Sequence, residues 1–135
     1  MRTPTAVRHA AARHFAKVIE YAVNEEAVAA AREDEALGMR LVDALLQTPA
    51  DGLFPLNEYL PSGLTGVDAF AQAMRVLPFL TGSLRLVEWE FANPAIGVVP
   101  YDIVRKLLDG DTVTHDGVEL TAAKVFLQYR RRPLD

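Results

Sequence analysis

Glu88 and Glu90 are the two side chains in this chain whose spacing comes nearest to a reaction centre. On a strand, residues two apart share a face, which sets these carboxylates about 7 Å from each other. That separation suits acid and base work on either side of a bond, or a hard cation held by oxygen. The same pattern is far more common on the wet face of an antiparallel strand, and a neighbouring arginine would favour that structural account. His14 is the remaining catalytic candidate. His9 and His14 are about 140° apart around a helix and cannot chelate one metal as an i, i+4 pair does. His115 belongs beside a hairpin tip.

The chain contains no cysteine, which removes thiolate nucleophiles, thiolate metal sites and disulfides. Neither G-x-G-x-x-G nor G-x-x-x-x-G-K-[ST] occurs, and G-x-S-x-G and H-E-x-x-H are missing too. The residues therefore lean away from an enzyme, and they call for no metal and no cofactor.

Binding candidates fall into two sets. The first is apolar: Phe54, Leu56, Tyr59 and Leu60 lie in a 48–64 segment interrupted by Pro49, Gly52, Pro55, Pro61 and Gly63. A connection that long and that apolar is packed over a core or serves as a partner-binding loop. The second is basic. His9, Arg13 and Lys17 recur at i, i+4 and i+8 along one face of a helix, and Arg130, Arg131 and Arg132 form a short C-terminal run. The two basic groups would make one patch if the fold brought the termini together.

These residues need elements to place them. Thr3 and Pro4 open a helix running to about Val23, with Phe15, Val18, Ile19 and Ala22 as its apolar stripe. Asn24 caps a second helix with Glu25 and Glu26 in its first turn, and Gly38 marks a kink or boundary. Around and after it, Leu37, Met39, Leu41, Val42, Ala44, Leu45 and Leu46 form a wide apolar band that should be deeply packed. Thr65 and Asp68 resemble a capping box for a third helix. There Val67, Phe70, Ala71, Met74 and Leu77 line one face and Asp68, Gln72 and Arg75 the other. Pro78 ends that helix or bends its last turn.

Residues 83–92 read as a strand whose apolar side changes near Leu86, and Trp89 is expected in the core. Exposure of Trp89 beside a groove would instead favour ligand binding. Pro100 starts a short helix closed by Gly110. Thr112–Thr121 is a hairpin around Asp116-Gly117, a type I′ turn that pairs His115 with Val118 and Val113 with Leu120. Residues 124–131 fit helix or strand. Their Val, Phe and Tyr tip the balance to strand, with Arg130 opposite Glu88 and Glu90 and Tyr129 extending the Trp89 face.

The resulting expectation is one α+β domain spanning 1–135. A helical N-terminal half packs on a small, mostly antiparallel sheet built from 83–92, 112–121 and 124–131, with a C-terminal hairpin. A mainly helical fold with the hairpin as a wing is the alternative. The 135 residues carry a net charge of −4, which disfavours a surface given over to nucleic acid. No apolar run spans a bilayer and no secretory leader is apparent, so a soluble cytoplasmic protein is expected. The arginine and alanine bias suits a GC-rich bacterial or phage genome.

The first functional reading is a non-enzymatic interaction module, such as an adaptor, inhibitor or regulatory subunit, whose partner is another protein or a second copy of itself. The second is a small enzyme or ligand-binding protein with a pocket bordered by Glu88, Trp89, Glu90 and Tyr59. The third is a nucleic-acid accessory using Arg8, Arg13, Lys17 and Arg130–Arg132.

Overall fold

The computed structural model describes residues 2–60 and 66–134, the side chains of 66–70 excepted. The expected capping box at Thr65 and Asp68, the positions Val67 and Phe70, and Leu64 in the connecting loop lie outside that description.

Helices α1 (Pro4–Glu20) and α2 (Glu25–Gln47) form an antiparallel hairpin. The Thr3 hydroxyl accepts from the Ala6 N–H and the Asn24 side chain from the Ala27 N–H, so both caps form as the sequence implies. The buried stripe of α1 is Val7, Ala11 and Phe15. Val18, expected in that stripe, is exposed, because the helix stops at Glu20 and its last turn passes beyond the core.

Gly38 interrupts nothing: α2 runs through it without a break. The glycine is there for space. A Cβ at this position would stand 2.1 Å from Cζ of Phe15, so the Phe15 ring lies directly on the α2 backbone. Leu37, Leu41, Val42 and Leu45 are buried around it as the apolar band requires.

Helix α3 (Gly66–Pro78) is rotated relative to its expected faces. Gln72, Ala73, Val76 and Leu77 are buried, whereas Ala71 and Met74 face outward. Flexible Met tolerates exposure, and Gln72 is carried inward between small and branched neighbours. Its Oε1 has no hydrogen-bond partner among the described residues. After Pro78 the chain widens into a π-type turn at Phe79–Ser83.

Strand β2 (Val87–Asn93) therefore starts later than the sequence suggests. Leu84 is still helical and Arg85 has φ 51°, a left-handed conformation. That reversal lets Leu84, Leu86 and Val87 all reach the core, which accounts for the change of apolar side near Leu86 without a bulge.

The main sheet has the order β1-β6-β2-β3, with β1 at Leu53–Phe54, β3 at Gly97–Val98 and β6 at Phe126–Arg131. Every pairing is antiparallel. The C-terminal segment is a strand, preceded by a 3₁₀ turn at Ala122–Lys124. The hairpin of β4 (Val113–His115) and β5 (Val118–Leu120) has the expected register and positive φ at Asp116 and Gly117. It forms a two-stranded sheet of its own rather than joining the main one. Two short edge strands from the loops occupy the places it was expected to fill.

The apolar residues divide into two clusters. The larger joins Val7, Ala11 and Phe15 of α1 and the α2 and α3 stripes to Phe54, Leu56, Leu84, Leu86 and Val87. The smaller gathers Val104 and Leu107 of α4 (Tyr101–Leu108) with Val99 and Leu120, and Phe91 packs against it. Among the described residues, no helix is long and apolar enough to cross a membrane.

Candidate functional site

Strands β2 and β6 pair over six residues, and this register decides what each face of the sheet can do. Directly opposed residues share a face. One face holds Val87 with Arg131, Trp89 with Tyr129, and Phe91 with Leu127. The other holds Glu88 with Arg130 and Glu90 with Gln128.

The carboxylate face is an ion-paired surface. Arg130 donates to Glu90 Oε1 from Nε at 3.0 Å and from Nη2 at 2.8 Å, and Gln128 Nε2 donates to the same oxygen at 2.7 Å. The hydrogen bonds that Arg130 donates to the Glu90 carboxylate push the Arg130 pKa further above its usual value. Arg130 Nη1 also donates to the carbonyl of Asp51, tying β6 to the loop before β1. Glu90 is thus committed to three donors, and its position beside an arginine is the structural arrangement anticipated for this pair.

Trp89 is not in the core. It is 57% exposed, and the reason lies in the two clusters: the larger covers the Val87 end of the sheet face and the smaller covers the Phe91 end. Trp89 falls in the interval between them, its ring 6.2 Å from that of Phe91. Because Glu88 and Glu90 project from the opposite face, they do not border a common cavity with Trp89 and Tyr59.

At the β1 edge of β6, away from Trp89, lies a groove of about 460 Å³. Phe54 and Leu56 are buried beneath it, Leu127 and Tyr129 line one side, and Leu53 and Glu58 stand at the rim. Tyr59 stacks on Phe54 at 5.0 Å, fixing the loop against the core, and burial raises the Tyr129 pKa above its ordinary value. The described part of the loop, to residue 60, is consequently packed through Phe54 and Leu56, with Tyr59 and Leu60 half-buried. Leu53 and Leu127 remain 54% and 39% exposed.

Among the described residues no strand pairs with the β1 side of β6 beyond the end of β1, and the groove coincides with this stretch of edge. Strand β1 pairs with β6 only at Arg130 and Tyr129. The Arg131 amide donates to the Gly52 carbonyl, so odd-numbered residues of β6 present their backbone groups toward β1. Leu127 does so beyond the end of β1, where the chain has already turned into a 3₁₀ helix at Leu56–Tyr59. Exposed Leu127 flagged an edge position in the sequence no more than any alternating strand residue does, and only the two-residue length of β1 reveals it.

The basic candidates part company. Arg130 is in the ion pair above, and Arg131 is buried, donating to the Leu45 and Arg132 carbonyls at 3.2 and 2.8 Å. Arg132 points into a different cleft with Arg2 and Arg85, two residues that sequence reasoning passed over. Arg13 and Lys17 are exposed on α1 with His9, while Arg8 pairs with Asp43 at 2.7 Å. His14 stacks flat on Phe79 at 3.8 Å and meets the edge of Phe15, and burial lowers its pKa. His115 lies 3.6 Å from Asp116 at the hairpin tip. Among the described residues no group of three His, Asp or Glu side chains could hold a metal ion.

No protein-family model, curated protein or solved structure matches this chain. What stands is a small α+β domain whose sequence carries no catalytic signature.

Proposed function

We propose that this chain is a non-enzymatic interaction module that binds an extended, apolar segment of another protein along the open edge of β6. The observation that supports the reading is the meeting, at Leu127, of a strand edge without a partner among the described residues and an apolar groove. An added strand would continue the line of β1. Its backbone would pair with Leu127, and its alternate side chains would enter the groove over Phe54 and Leu56. Trp89, one strand further in on the same face, supplies a large rigid contact of the kind that dominates interface energetics. Exposed apolar groups side by side are the usual mark of such surfaces.

A second copy of this chain is the alternative occupant. Light scattering during size-exclusion chromatography separates the two, because a dimer lost on Trp89→Ser substitution would assign the groove to self-association. The partner reading is tested by selecting seven-residue peptides from a random display library. Enriched peptides should show alternating apolar positions, and Trp89→Ser or Leu127→Asp should weaken them roughly tenfold or more. Peptides that bind both variants as tightly as the parent protein would sink the assignment.

A further inference from the structure

We infer that the cleft formed by Arg2, Gly82, Ser83, Arg85, Arg132 and Pro133 is a binding site for a small phosphomonoester. The cleft has a volume of about 660 Å³ and is separate from the peptide groove. Three arginines from three distant parts of the chain line it: one before α1, one before β2 and one after β6. In a protein of net charge −4, that grouping is a local reversal of sign. Among the described residues, no carboxylate lies within ion-pair distance of Arg2, Arg85 or Arg132.

The Arg2 side chain and the backbone that carries the other two arginines are held in place, while the Arg85 and Arg132 side chains are exposed to a ligand. Arg2 donates through Nη1 to the Leu84 carbonyl and through Nη2 to the Arg85 carbonyl at 3.2 Å. The Arg132 amide donates to the Leu86 carbonyl at 2.9 Å, and its own carbonyl accepts from buried Arg131. Residues 84–86 are thus the hub on which the other two arginines are seated. Arg85 itself adopts φ 51°, a conformation in which glycine sits without strain and a long side chain does not. The chain therefore carries local strain at an arginine that lines the cleft.

The chemistry selects the ligand class. A single carboxylate is satisfied by one guanidinium fork, whereas a phosphate dianion offers three terminal oxygens and is matched by several. The Ser83 hydroxyl adds a neutral donor. The cleft is larger than a bare phosphate ion and leaves room for a small organic body. Its lining offers no aromatic platform on which a nucleic-acid base would stack.

Isothermal titration at low ionic strength tests the site, with inorganic phosphate, O-phosphoserine and a single-stranded oligonucleotide as probes. Phosphate and phosphoserine should bind saturably, phosphoserine at least as tightly. Arg132→Gln and Arg85→Gly should each weaken phosphoserine roughly tenfold or more. Arg85→Gly should do so with an unchanged or higher Tm, because glycine relieves the left-handed conformation; this separates loss of binding from loss of fold. The inference is overturned if neither small probe gives saturable heat, if both variants keep parental affinity, or if only the oligonucleotide binds.

Discussion

Replacing Gly38 with alanine puts the packing of the helical hairpin under a direct test. Two effects oppose each other. Alanine is favoured over glycine in a helix interior by about 1 kcal/mol. Against that, the new Cβ would lie 2.1, 2.5 and 3.0 Å from Cζ, Cε2 and Cε1 of Phe15, closer than carbon atoms approach. The ring cannot easily retreat. It is buried, wedged edge-on against His14 at 5.0 Å and Phe79 at 5.6 Å between centroids. Overpacking of this kind costs about 1–3 kcal/mol, and with a buried ring that cannot retreat the upper part of that range applies, leaving a net loss of up to about 2 kcal/mol. Urea unfolding followed by circular dichroism should show a lower midpoint at unchanged slope. Two controls sharpen the test. Gly82→Ala, where the added methyl meets nothing within 4 Å, should be neutral or slightly stabilising. Phe15→Leu should be less harmful in the Gly38→Ala background than alone, a coupling of about 1 kcal/mol in a double-mutant cycle. A Gly38→Ala protein as stable as the parent, or additive double-mutant energies, would refute the close approach.

Two further outcomes are expected. His14 resists protonation in the folded protein, so the unfolded chain binds the proton more readily below its ordinary pKa of 6.5. Its contribution is fully present above that pH and declines as pH falls toward the lowered folded value. His14→Phe should preserve the stack on Phe79 while flattening stability as pH falls below 6.5, and parallel slopes for the two proteins would exclude this role. Arg131→Met should cost about 1–3 kcal/mol by removing buried hydrogen bonds to the Leu45 and Arg132 carbonyls, whereas Arg132→Met should stay within about 0.5 kcal/mol in thermal unfolding. Equal effects at the two neighbours would contradict their different burial.

Much of the architecture follows from local rules. The caps at Thr3 and Asn24, the packed band of α2, the Asp116-Gly117 turn and the α+β class are each dictated by residues within a few positions of one another. Alternation likewise puts Glu88 and Glu90 on one strand face and Arg130 on one face of its own strand, but that the two faces meet is set by the register of β2 on β6. What local rules leave open is where elements end and what covers them. Phe15 over Gly38 is a contact between two helices, and along the chain an uncovered glycine reads as a kink. Strand alternation placed Trp89 with Val87 and Phe91, but its exposure depends on two clusters that cover the neighbours and stop short of it. The hairpin's separation from the main sheet depends on loop strands too short to carry a pattern. The arginine cleft is assembled from positions 2, 85 and 132, with no spacing to announce it. Sequence by itself determines the elements and their faces, since those arise from a residue and its near neighbours. Tertiary structure decides which faces remain open, because coverage is a property of surfaces brought together from far apart in the chain.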